Sequence, residues 1–253
     1  MITGVSIPKI TENNPNEDSF IKTDDFFAVS DGAGGCGVFS DKWSDYLVKH
    51  LPEKTPLTDA EEFDKWLDGI CDTFYVQYEE IAKGLDPMFL NKFYKEGSFA
   101  TLAAVWKISS NECKCITYGD SVVFHYDHKT KELEHSFTKL SDFSNPPYLI
   151  NVLEPVTKSA FKTRTFTLTD SSVIFAATDA LSHYILMMYM ASKLNVYENE
   201  FKEIISKQNL NSRFVSLAID QVVNFDEVLN KLISSVQNEK DFESLIRELF
   251  LIP

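Results

Sequence analysis

Apolar residues flank the acidic pair Asp24-Asp25 on both sides, in Ser19–Thr23 and Phe26–Ser30. This pattern predicts two strands joined by a tight turn, the second ending at Asp31. A first edge strand is expected over residues 4–8. Trp43, Tyr46, Leu47 and His50 recur at helical spacing and predict a helix from about Phe39 to His50, interrupted by Pro52 and Pro56. Thr58, with Glu61 three residues on, predicts the start of a long amphipathic helix that ends at Gly84-Leu85-Asp86-Pro87. Alternation over 98–108, 112–118, 121–126 and 131–136 predicts antiparallel strands, with turns at Asn111 and Gly119-Asp120. Residues 141–160, rich in Asn and Pro, read as a loop that either covers a site or joins strands. Segments 164–169 and 172–178 predict a further hairpin around Asp170-Ser171. Leu181–Leu194 is strongly apolar and helical, and the remainder is helical in character. Strands interleaved with pairs of helices point to an α+β arrangement, a sheet sandwich flanked by helices.

The first hairpin carries chemistry. It is bracketed by Asn16-Glu17-Asp18 and Asp31-Gly32-Ala33-Gly34-Gly35. In a hairpin, the residue opening the first strand and the residue closing the second lie side by side, so Asp18 and Asp31 meet at one end of a sheet. Two carboxylates held together repel unless a cation sits between them, and a hard divalent ion suits oxygen donors. Gly32 lets the backbone turn tightly and offer a bare carbonyl to the same shell, which suits Mg²⁺ or Mn²⁺. Each motif alone reads as turn residues; their pairing across one hairpin favours a metal site.

Composition narrows the function classes. The chain has 253 residues, 44% of them hydrophobic, and no Pro/Gly/Ser-rich linker, which fits one large domain. Lys and Arg number 24 against 38 Asp and Glu, for a net charge of −14. That excess argues against a nucleic-acid partner and against an anionic membrane surface. No apolar run approaches a bilayer span, and residues 1–15 lack the basic and apolar stretches of a signal peptide. The expectation is a cytoplasmic protein. Cys113 and Cys115, two apart on a strand, face the same way and read as buried thiols, while Cys36 sits in the glycine loop. His125, His128 and His135 read as part of a surface hairpin, and His183 as either an ordinary helix residue or a proton carrier near the acids.

Four segments, in order, resemble the metal-dependent type-2C serine/threonine protein phosphatases. Asn16-Glu17-Asp18-Ser19-Phe20 is similar to that family's first acidic motif, and Phe26–Gly35 to its strand-plus-Asp-Gly motif. Gly97–Val105 with Ile116–Val123 resembles its central hairpin, and Val173–Leu181 its late strand ending in an aspartate. The resemblance implies two central antiparallel β-sheets flanked by α-helical layers, with metals at one end of the sandwich. It implies two ions, Mg²⁺ or Mn²⁺, at Glu17, Asp18, Asp31, the Gly32 carbonyl and Asp179, with Glu17 and Asp18 acting mainly through metal-bound waters. Asp18, Asp31 and Asp179 are then the catalytic carboxylates, and the substrate is a phosphoserine or phosphothreonine protein attacked by a metal-activated water. Read alone, Asp179 would be a helix N-cap; the matched motif order makes it a ligand. Asp120 matches a motif too, and is read as holding its turn through bonds to the backbone.

Three positions depart from the family pattern. Asn13 stands where many members carry a phosphate-holding arginine, with Lys9 and Lys22 as the candidates to replace it; Ala33 stands where some carry a histidine. No late aspartate motif is found before Leu251-Ile252-Pro253, so the expectation is a single domain over residues 1–253 without the family's last strand. These departures frame the alternative, a catalytically weak or inactive relative that serves as a regulatory phosphoprotein- or partner-binding module.

Overall fold

The computed structural model describes residues 2–8, 16–137, 139–206 and 223–250. Asn13 and Lys9 lie outside the described residues, as does the end of the chain from Leu251. The predicted hairpin forms as β1 (Asp18–Lys22) and β2 (Phe26–Asp31). Helices α1 (Ser40–His50), α2 (Ala60–Lys83) and α3 (Pro87–Glu96) follow. Asp59, one residue after the expected cap, closes the start of α2 by accepting from the amides of Glu61 and Glu62. The third helix was not foreseen; Asp86 caps it, and Pro87 occupies its first turn, where a missing N–H costs nothing.

The strands divide between two main sheets. β4 (Leu102–Ser109), β5 (Glu112–Tyr118) and β9 (Phe161–Thr167) extend the first hairpin into a five-stranded sheet ordered β1-β2-β4-β5-β9. β6 (Val122–Asp127), β7 (Glu132–His135) and β10 (Ser172–Ala177) form a three-stranded sheet ordered β10-β6-β7. Two-residue strands β3 (Phe99–Ala100) and β8 (Ile150–Asn151) pair with each other. All pairings are antiparallel. Ala103, Val105, Cys113, Cys115, Val123 and Phe166 fill the layer between the sheets.

Helices cover both outer faces. Trp43, Leu47, Phe63 and Phe74 of α1 and α2 pack on the five-stranded sheet. On the other side lie α4 (Asp179–Ser192), α5 (Leu194–Ser206), α6 (Phe225–Ser235) and α7 (Glu239–Phe250). Nearly every side chain of α4 from Tyr184 to Ala191 is buried, which explains a helix apolar all round. The expected sandwich with helical layers is therefore present. The 141–160 segment joins strands: the carbonyl of Ile150 accepts a 3.0 Å bond from Trp43 Nε1 and so ties the segment to α1.

Three local expectations differ. Residues 2–8 form no strand; side chains hold them instead, with Lys22 Nζ donating to the Ile2 carbonyl at 3.2 Å and Ser6 Oγ to that of Asp18 at 3.4 Å. The segments 164–169 and 172–178 form no hairpin, because β9 pairs with β5 and β10 with β6, so the chain crosses from one sheet to the other between them. His125 is not on the surface: it is 5% exposed in the central strand β6, with Nε2 2.8 Å from Ser172 Oγ and its ring near Phe166.

Candidate metal centre

The ladder of the first hairpin places Asp18 directly opposite Asp31, with Ser19 opposite Ser30 and Phe20 opposite Val29. Residues directly opposed in an antiparallel pair point to the same face, about 5 Å apart. The two carboxylates named from the sequence are thus brought together, and both are half-buried. The Asp18 amide donates to Asn16 Oδ1 at 3.1 Å, which turns the first motif into the strand. The Glu17 carbonyl accepts from the Gly32 amide at 3.0 Å and from Ser44 Oγ at 2.6 Å, so α1 locks the two motifs to each other.

A second carboxylate pair lies just beyond the end of the β6–β10 ladder. β6 and β10 end with Val122 opposite Ala177. Asp120, in the turn before β6, and Asp179, at the start of α4, stand near each other just past this end. The electrostatics agree: burial, and then the charge of Asp179, push the Asp120 carboxyl up to about 6. Asp179 is the first residue of α4, after a cap residue, Thr178, whose side chain makes no capping bond. The cap position is Thr178 rather than Asp179, and the Asp179 carboxylate accepts from the neighbouring Ala180 amide. Asp120 was read as holding its turn through a bond to the backbone; the structure gives its carboxyl such a bond to its own amide and places it close to Asp179.

The two ends are stitched together beneath the acids. Thr101 donates its amide to the Asp31 carbonyl at 2.8 Å, accepts from the Asp31 amide at 3.2 Å, and shares a 2.6 Å bond between its Oγ1 and Ser121 Oγ. Gly119 sits at φ +94°, and a Cβ there would stand 2.7 Å from Thr101 Cγ2, so only glycine lets the Asp120 turn close against Thr101. Asp18, Asp31 and Asp179 all line one cleft between the sheets. The Glu17 carboxylate packs against Gly34. His183 is held near 4 by burial, which leaves it neutral at physiological pH, and its ring stacks on Phe143 with centroids 5.3 Å apart.

Among the described residues, no group of three or more His, Cys, Asp or Glu is placed to hold a metal ion. Carboxylates come in pairs instead. Pairs suit Mg²⁺, which binds through one or two carboxylates and keeps several waters. Burial, and then the charge of Asp179, raise the Asp120 carboxyl. The residues fit a hard, partly hydrated cation.

No protein-family model matches the chain, and no curated protein matches it. Solved structures do. The serine/threonine phosphatase PstP/Ppp of Mycobacterium tuberculosis superposes with a TM-score of 0.50 at 16% identity, over 75% of this chain and 83% of that one. A PstP catalytic domain in complex with two manganese ions gives 0.49 at 16% identity, over 75% and 82%. The phosphatase Stp1 of Staphylococcus aureus gives 0.47 at 13% identity, over 88% of each chain. The chain has the fold of the type-2C serine/threonine protein phosphatases, as its motif order implies. Among the described residues, no helix is long and apolar enough to cross a membrane.

Proposed function

We propose that residues 1–253 form a single metal-dependent phosphatase domain that removes phosphate from phosphoserine and phosphothreonine proteins in the cytoplasm. Asp18, Asp31 and Asp179 are its catalytic carboxylates, joined by Glu17 and the Gly32 carbonyl at a centre for two Mg²⁺ or Mn²⁺ ions. The observation that carries this reading is the register that sets Asp18 against Asp31 at the end of one sheet. Bound ions would supply charge neutralisation for the phosphoryl group and a water acidic enough to ionise near neutral pH. Asp18 and Asp31 hold the first pair of donor groups. Asp179 and Asp120 hold the second pair across the mouth of the sandwich. Glu17 orients what the first pair binds, from its seat against Gly34. No side chain is needed as nucleophile: burial pushes the thiols of Cys71, Cys113 and Cys115 up to about 12.

A second reading, a catalytically weak relative that binds a phosphoprotein or partner as a regulatory module, is favoured by the lack of a three-ligand cluster among the described residues. One experiment separates them. Aryl phosphate hydrolysis is followed during Mn²⁺ titration, with chelator as control, for the natural chain and Asp31→Ala. An enzyme gives saturable, chelator-sensitive turnover that falls at least about 100-fold in the variant, with an unchanged melting temperature. Unchanged turnover in Asp31→Ala sinks the site assignment; Mn²⁺ binding without turnover selects the regulatory module.

A further inference from the structure

The ladder between β2 and β4 changes character at the carboxylate end. Val29 faces Ala103, and the isolated bridge of Gly32 with Ala100 keeps the same register, so Asp31 falls opposite Thr101. Opposed residues of a hydrogen-bonded pair exchange two main-chain bonds. Here only one forms, from the Thr101 amide to the Asp31 carbonyl at 2.8 Å. The returning bond, from the Asp31 amide, goes to Thr101 Oγ1 at 3.2 Å. The Thr101 carbonyl accepts instead from Ser30 Oγ at 2.6 Å. A side-chain hydroxyl thus stands where a ladder carbonyl would, and it holds the backbone of Asp31.

That hydroxyl is anchored in the turn that leads into the other sheet. Thr101 Oγ1 and Ser121 Oγ are 2.6 Å apart, and Ser121 directly follows Asp120 ahead of β6. The Thr101 methyl rests on the same turn, since a Cβ added to Gly119 would stand 2.7 Å from Thr101 Cγ2. Thr101 is 2% exposed and Ser121 1%. A bond buried this deeply has no water at hand to replace it, so breaking it leaves a polar group unpaired. A shift of Asp31 is therefore passed to Thr101, from Thr101 to Ser121, and from Ser121 to the Asp120 turn, through contiguous buried contacts.

We infer that Thr101 and Ser121 are positioning residues that couple the two carboxylate pairs, so that each pair's hold on its ion depends on the other's. The inference rests on the two-ion centre proposed above. Coupling between two binding sites is reciprocal. Loss of the link is thus felt at both pairs, although Ser121 stands beside only one of them.

The test is Mn²⁺ titration calorimetry of the whole chain, with thermal melts of each metal-free variant. The natural chain is expected to show two binding events. The event weakened more by Asp18→Asn is that of the first pair, and the one weakened more by Asp179→Asn is that of the second. Ser121→Ala should weaken both by about 3–30-fold. Thr101→Val, which keeps the shape and loses the hydroxyl, should do the same. The double variant should go no further than either single one, because the two changes remove one shared bond. Thr101→Ser, which keeps the hydroxyl, should stay within about threefold of the natural chain. A first-pair event that moves less than about threefold in Ser121→Ala overturns the coupling, and a melting temperature that falls alone marks the bond as structural only. Losses that multiply in the double variant overturn the shared link. Should Thr101→Val fail to fold, Ser121→Ala and Thr101→Ser decide by the same limits. A natural chain that binds no Mn²⁺, or one ion only, overturns the two-ion centre and this inference with it.

Discussion

Gly34→Ala separates the chemistry of the carboxylates from the stability of the fold. A Cβ on Gly34 would stand 1.7 Å from Glu17 Oε1, 2.5 Å from its Cδ and 2.6 Å from its Oε2. No contact survives at that separation, so the Glu17 carboxylate must swing away. What moves is the far end of a flexible, half-buried side chain. The fold should lose no more than about 0.5 kcal/mol, which is about 1–2 °C of melting temperature at this chain length. The metal centre should lose more, because removing a group that orients first ligands costs about 10–100-fold in metal affinity. Gly32→Ala is the opposite case. Its Cβ would meet the Ser40 carbonyl at 2.5 Å and the Glu17 carbonyl at 2.9 Å, both backbone atoms. The Glu17 carbonyl is itself pinned by Gly32 and Ser44. Overpacking against fixed backbone costs about 1–3 kcal/mol, or about 2–12 °C here. A Cβ on Gly35 meets nothing within 4 Å, so Gly35→Ala is the neutral control. Thermal melts and Mn²⁺ titration calorimetry of the three variants decide the matter. Mn²⁺ affinity in Gly34→Ala equal to that of the natural chain would refute the role given to Glu17, and an equal fall in Gly35→Ala would show the loop to be generally intolerant.

Two further outcomes are expected. Asp127 accepts from Thr169 Oγ1, Ser171 Oγ and the amides of Lys129 and Thr130, which hold its carboxyl well below the usual range. A carboxyl depressed in the folded state contributes stability that is complete above its unfolded value of about 3.9 and declines as pH falls toward the folded value. The stability gap between the natural chain and Asp127→Asn in urea should therefore be largest at pH 7 and shrink at pH 3; an equal gap at both would contradict this account. Of the four cysteines, only Cys36 is exposed, and burial raises the other three thiols to about 12. An aromatic disulfide reagent at pH 8 should modify one thiol quickly in the native chain and all of them in denaturant, and a second fast native thiol would contradict the burial described.

What was legible in the sequence was mostly what is local. The first hairpin and its register follow from two apolar stretches about an acidic turn, so the meeting of Asp18 and Asp31 could be read before any coordinates. The start of α2 was legible to within one residue, because Thr58 and Asp59 are both capping residues. Asp59 holds the amides, while Glu62 reaches back to the Thr58 amide at 2.7 Å. α3 was lost because Gly84, Pro87 and Gly97 read as loop punctuation, although Asp86-Pro87 is itself a helix start. The β9–β10 crossover was misread for a different reason. Two strands around Asp170-Ser171 look like a hairpin, and nothing nearby shows that β9 is claimed by β5 and β10 by β6.

That same crossover explains why half of the candidate site was hard to see. The Asp18–Asp31 pair and the Asp120–Asp179 pair obey one rule: each stands where an antiparallel ladder ends. For the first pair the two strands are consecutive, so the rule can be applied along the chain. For the second, β6 and β10 are separated by β7, β8 and β9, and the rule becomes usable only once β10 is known to pair with β6. Without that pairing, Gly119-Asp120-Ser121 carries no information beyond a turn, and only the motif order singles out Asp179. With it, the end of the β6–β10 ladder brings the two acids near each other, and burial, with the charge of Asp179, raises the Asp120 carboxyl to about 6. In the proposed centre, the Asp18–Asp31 pair and the Asp120–Asp179 pair are linked beneath by the Thr101–Ser121 bond, so its integrity would depend on the two sheets staying in register with each other.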